Sequence, residues 1–225
     1  MKLIINSLLI AVVALALNTT VQAQKLFSGT IEYEITYTGA DLDPATVATL
    51  PKSLMMTVSG KKSRVDMQQG MMNIVKINNA ETTSSVSLID IMEKKYAIKS
   101  TKEEIEKAMA EMPKTKITVT EEKKDIAGMK ATKATIVFTG EDGKETTEDV
   151  YFNPEIGGEG FNFDTPYKDI KGGLLQYTIE NNGLKMLFTA KEVKAKKIKD
   201  TTFLIPSDYQ EVTAEELQGI FGGAE

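Results

Sequence analysis

Apolar and polar residues alternate at period two along most of the chain. In 29–37, Ile31, Tyr33, Ile35 and Tyr37 fall on one face, and Thr30, Glu32, Glu34 and Thr36 on the other. A strand of this kind lies half-buried in an antiparallel sheet, with one face on a core and one in water. Similar segments follow at 53–59, 62–68, 71–77, 84–92 and 95–99, with Gly60, Gln69-Gly70, Asn78-Asn79 and Glu93-Lys94 between them. Short strands at such regular spacing predict an antiparallel meander and not βαβ units. A second run covers 116–121, 131–139, 145–152, 174–180 and 184–193, with a last strand expected near 202–205 before Pro206. Gly140-Glu141-Asp142-Gly143 and Asn181-Asn182-Gly183 are its hairpin signals.

Helical signals are few. Asp43-Pro44 reads as an N-cap followed by Pro at the first helical position, so a short helix is expected over 44–50. Ser100-Thr101-Lys102-Glu103 has the form of a capping box. Ile105, Ala108, Met109 and Met112 then share one face, and Pro113 stops the helix. Thr213-Ala214-Glu215-Glu216 is a second capping box, ahead of Leu217, Ile220 and Phe221. Between the strands, 153–173 is irregular and Gly-rich, and its Phe161, Phe163 and Tyr167 predict an ordered loop tied to the body. The pattern as a whole defines a mainly β fold of the α+β class.

The beginning of the chain reads differently. Lys2 followed by the apolar run 8–17 and the small-x-small pattern Val21-Gln22-Ala23 describe a secretory signal peptide over 1–23. That run is shorter than the roughly 20 apolar residues a membrane-spanning helix needs. The expectation is a single domain over 24–225, periplasmic or secreted, with no integral membrane span after cleavage.

Composition narrows the chemistry. The 225 residues include no His, Cys or Trp, and the 27 basic residues comprise 26 Lys and a single Arg against 32 acidic ones. Triads built on imidazole or thiolate, His or Cys zinc sites and disulfides are therefore excluded. An exported domain without disulfides depends on burial for its stability. The net charge of −5 argues against nucleic acid as a partner.

The remaining motifs are incomplete. Ser59-Gly60-Lys61-Lys62 has the Ser-x-x-Lys spacing of acylating serine enzymes but falls at a hairpin turn, without the companion motifs. Gly140–Lys144 lacks the glycine spacing of a phosphate loop. Asp41 with Asp43, or Glu141 with Asp142 and Glu145, lacks the spacing of a calcium loop, and solvated acidic turns account for both. Glu32 and Glu34 read as a solvated face. No cofactor or metal is implied.

Two features point to binding. Arg64 stands mid-strand in a chain where Lys supplies every other positive side chain, and only a guanidinium offers a planar fork. Its ordinary role is a cross-strand ion pair, and the alternative is anion recognition at a pocket mouth. Met55, Met56, Met67, Met71, Met72, Met109 and Met112 cluster in the first meander and the central helix, which suggests that the helix packs across that sheet. Methionine fills irregular cores and also lines adaptable apolar surfaces. The pairs Met55-Met56 and Met71-Met72 place apolar groups on both faces, which requires cover on both sides or a cavity.

Gly29–Tyr33, Lys62–Asp66, Asp125–Met129 and the closing Phe203–Tyr209 together resemble a family of exported Gram-negative proteins related to the LolA/LolB-like superfamily of outer-membrane lipoprotein carriers. The resemblance implies a strongly curved antiparallel half-barrel, with helices closing its concave side over an apolar cavity. On this reading the protein is non-enzymatic and binds a lipid or other apolar ligand between sheet and helix. Met55, Met56, Met67, Met72, Met109 and Met112 would line the site, with Arg64 near a head group. The alternative is an envelope protein–protein interaction module using a strand edge or the 153–173 loop. A carboxylate-based hydrolase would instead need converging Asp and Glu side chains.

Overall fold

A computed structural model describes residues 25–39, 43–140, 142–181 and 183–222. The expected signal peptide, Asp41 and Glu141 lie outside these. The first meander comprises β1 (Ser28–Thr38), β2 (Ser53–Ser59), β3 (Lys62–Gln69), β4 (Met72–Asn79), β5 (Ser84–Ile91) and β6 (Lys94–Ser100). The second comprises β7 (Lys114–Ile126), β8 (Met129–Thr139), β9 (Glu145–Asn153), β10 (Gly173–Asn181) and β11 (Leu184–Ala195). The return of β11 to pair with β1 joins both meanders into a single sheet, ordered β12-β6-β5-β4-β3-β2-β1-β11-β10-β9-β8-β7, where β12 is Gln210–Glu211. The sheet is curved and does not close, and among the described residues β7 is an edge strand. That edge carries Lys114, Lys116, Lys123 and Lys124, and lysines discourage edge-to-edge pairing.

Residues paired across antiparallel strands share a face, so the register separates the two sides of the sheet. One side carries Ile31, Tyr33, Ile35, Leu54 and Val58 beside Phe188 and Ala190, and is covered by the connection 154–172. Ile156 and Phe161 of this strap join that core, while Tyr167 and Ile170 pack with Ala134, Ile136, Val150 and Phe152. The other side carries Val75, Ile77, Leu88 and Ala97, covered by Phe203, Ile205 and Tyr209 of the C-terminal tail. Val75 and Ile77 of β4 thus lie under the tail, whereas Met72 and Ile74, on its other face by alternate placement, are only half-buried.

The strap is pinned by close backbone approach. A Cβ on Gly173 would meet Ile156 Cγ2 at 2.3 Å, and one on Gly172 would meet the Asn153 carbonyl oxygen at 2.4 Å. Asn162 Nδ2 donates to the carbonyls of Ile170 and Gly172 at 3.0 and 2.8 Å, satisfying backbone that would otherwise be buried unpaired.

Three helices complete the fold: α1 (Pro44–Thr49), α2 (Lys102–Ala110) and α3 (Ala214–Gly222). Asp43 caps α1 by accepting from Thr46 N, as expected. The capping box of α2 is Thr101 with Glu104, one residue later than the sequence form suggested. Thr213 and Glu216 form the expected reciprocal pair at α3.

Two expectations are corrected. Residues 202–205 do not form a strand: Asp200–Phe203 is a 3-10 turn, and the alternation of Phe203 and Ile205 reflects packing of the tail on the sheet. The central helix does not pack across the methionine-bearing strands. Ile105 is its buried residue, and α2 makes no extended contact with any strand.

Candidate functional site

The strap face of β3–β6 changes character along the strands. Ser63, Asn78, Ser85 and Ser100 form one row across the sheet, and Val65, Lys76, Ser87 and Ile98 form the next. The third row, Met67, Ile74, Ile89 and Tyr96, is wholly apolar apart from the tyrosine hydroxyl, and Met72 pairs with Ile91 beyond it.

The strap docks over the polar rows. Lys76 Nζ lies 2.5 Å from Asp164 Oδ2, and Asn78 Nδ2 donates to the same oxygen at 2.9 Å. Asp164 is 7% exposed at its side chain, so this carboxylate is buried, while Lys76 stays partly in water. Its contacts hold the strap at the level of Lys76 and Asn78.

Beyond that anchor Met67, Met72, Ile74, Ile89 and Ile91 are half-buried, and Tyr96 at the end of the row is buried. Met67 packs on the core shared with Ile31 and Tyr33, whereas Met72, Ile74, Ile89 and Ile91 join none of the three core clusters among the described residues. A contiguous set of branched and thioether side chains, shielded from water only in part, is the kind of surface that gains by burying an apolar ligand.

The structure divides the sequence-predicted residues. Met56, Met67 and Met72 face the strap, and Met56 is packed into the core there. Met55 and Arg64 lie on the opposite face, since Met55 pairs with Asp66 and Arg64 with Thr57. Met109 borders a groove of about 340 Å³ between α2 and the strap, alongside Ile105, Ala110, Gly160 and Phe163. Met112, past the end of α2, is exposed. The seven residues therefore do not form one lining.

Arg64 has a different role from either expectation. Its Nε and Nη2 donate to the Asp66 carboxylate, with Nη2 2.7 Å from Oδ1, and Nη1 donates to the Thr202 carbonyl at 3.3 Å. The ion pair runs along one strand, not across two. It ties the tail to the sheet because the guanidinium fork reaches a carboxylate and a carbonyl together.

Elsewhere, a groove of about 370 Å³ on the tail face is lined by Thr30, Glu32, Met55, Thr57, Glu192, Lys194 and Lys196. Met55 is its one hydrophobic residue among polar and charged ones, and Glu192 is paired with Lys194 at 2.7 Å. Asp142 is bonded to Lys144, which holds its carboxyl below the usual range. No set of three acidic, His or Cys side chains is placed to hold a metal among the described residues. Tyr33, Tyr167 and Tyr177 are structural, with burial pushing each phenol above its ordinary value. Tyr33 Oη donates to the Leu174 carbonyl at 2.7 Å, and Tyr177 stacks on Phe188 at 4.8 Å.

Sequence reading missed Ile74, Ile89 and Ile91 as site candidates because isoleucine in a strand signals only burial. The register, which aligns them with Met67 and Met72, is the missing information.

The fold and site define an open sheet, antiparallel except for the short parallel edge strand β12, with one face partly lidded by a strap and an apolar strip beyond the lid. No protein-family model matches the chain, and no curated protein matches it in sequence. Among solved structures, that of LprF from Mycobacterium bovis is similar over 81% of this chain and 90% of that chain, at 10% identity and a TM-score of 0.33. No helix of the described residues is long and apolar enough to cross a membrane.

Proposed function

We propose that this protein is an exported binding protein for a lipid or other apolar ligand, whose apolar part lies along Met67, Ile74 and Ile89 with Met72 and Ile91 beside it. The observation that carries the reading is this half-buried strip, continuous in register and beyond the strap's anchor at Asp164. Burying apolar surface contributes about 25 cal/mol per Å², so a chain laid over several such side chains binds without any charged contact. The signal-like segment 1–23 supports an envelope or secreted location. Binding through the strip uses no cofactor.

The strap fits poorly as a protein-recognition loop, because Ile156, Phe161, Tyr167 and Ile170 are internal. Native mass spectrometry of the protein purified from cells, under gentle conditions, tests the proposal. A bound species of lipid mass that dissociates on activation is expected. A protein that flies only at its own mass and takes up no added fatty acid would contradict it.

A further inference from the structure

We infer that Met71 and Met92 form a peroxide-sensitive lip at the mouth of the apolar strip, and that their oxidation weakens ligand binding. The inference rests on the ligand reading above for its effect, but not for its chemistry. Met72 pairs with Ile91, so the β3–β4 and β5–β6 turns lie side by side at the same end of the sheet. Each turn presents a methionine to solvent: Met71 is 79% exposed and Met92 71%. Directly behind them stand the half-buried Met72 and Ile91, the outermost members of the strip.

The second turn is unusual in its residues. Met92 and Glu93 have φ of +47° and +65°, a left-handed pair that two-residue hairpins ordinarily fill with Asn-Gly or Asp-Gly. A long apolar side chain thus occupies a backbone position that favours small polar residues, and backbone strain of this kind concentrates at functional sites.

The chain has no Cys, so thioethers are its readily oxidised sulfur groups. With hydrogen peroxide, a methionine sulfur lone pair attacks one peroxide oxygen. An S–O bond forms, the O–O bond breaks, and proton transfer to the departing oxygen releases water. The sulfur is oxidised by two electrons and the peroxide reduced by two. The product is a polar, chiral sulfoxide in place of a flexible apolar group. Access decides the order of reaction, and Met56, Met67, Met72 and Met109 are shielded by comparison.

Limited treatment with hydrogen peroxide, followed by peptide mapping, tests the site. Met71 and Met92 are expected to oxidise at least 5-fold faster than Met56, Met67, Met72 and Met109; equal or slower oxidation would overturn the inference. Titration with a fluorescent fatty acid tests the effect. Oxidised protein is expected to bind at least 3-fold more weakly, whereas a Met71→Leu, Met92→Leu variant keeps its affinity through the same treatment. Unchanged affinity after selective oxidation of the pair would overturn the switch. Absence of binding by untreated protein would instead overturn the ligand reading and the switch with it, leaving the oxidation order to stand or fall on the peptide map.

Discussion

Lys76 of β4 and Asp164 of the strap meet at 2.5 Å, and this contact sets how far the strap extends over the sheet. The two partners are unequal. The Lys76 side chain is 43% exposed and can be rehydrated, whereas Asp164 is buried. Lys76→Met is therefore expected to cost about 3 kcal/mol, because it leaves a buried carboxylate without its cation. Asp164→Asn retains a partner for Asn78 and is expected to cost only about 1–2 kcal/mol. Urea denaturation of both variants, compared at one pH, checks the order.

Gly172 occupies φ +150° with the Asn153 carbonyl oxygen and Pro154 Cα in the space a Cβ would take. Gly172→Ala is expected to destabilise the fold by about 2–4 kcal/mol, through strain and displacement of the strap. Thermal melts should show Tm falling by roughly 5–15 °C.

Arg64 anchors the tail and does not contribute to the strap-face site. Lysine cannot reproduce its bonds to Asp66 and Thr202 together, so Arg64→Lys is expected to cost about 1 kcal/mol. Amide exchange across 200–212 should quicken, while affinity for a fatty-acid probe stays within 2-fold. A large loss of affinity would place Arg64 back at the ligand.

Glu148 provides a pH signature. Burial raises its carboxyl above the ordinary 4.5, Lys185 opposing the shift and Glu180 adding to it. Because the folded group titrates above the unfolded one, ionising it opposes folding. That cost is complete above the folded pKa and disappears as the pH falls below about 4.5. Glu148→Gln should therefore stabilise the protein at pH 7 by up to about 1 kcal/mol and make no difference near pH 4. Denaturant melts at the two pH values check the sign.

The strand meander was legible because period-two alternation and turn glycines act locally, as in β1 and at Gly60, where φ is +59°. The site was less so. Methionine clustering drew attention to the first meander, but which methionines share a face depends on register, and Arg64 lies across the sheet from Met56 and Met67. The strap's role rests on a pairing between Lys76 and Asp164, far apart in the chain, that no local pattern encodes. Phe203 and Ile205 alternate as a strand would, yet their apolar faces serve as a lid. Alternation reports a buried side, not a hydrogen-bonded ladder.

We propose above that the strip on β3–β5 holds an apolar ligand. The direct measurement is a fluorescent fatty-acid titration of the wild-type protein beside an Ile74→Thr, Ile89→Thr variant, with circular dichroism confirming that both are folded. Threonine preserves β-branching while replacing the ethyl branch at each position with a hydroxyl. Saturable uptake by the wild type and at least 10-fold weaker uptake by the variant are expected. No saturable uptake, or equal uptake by a folded variant, would contradict it.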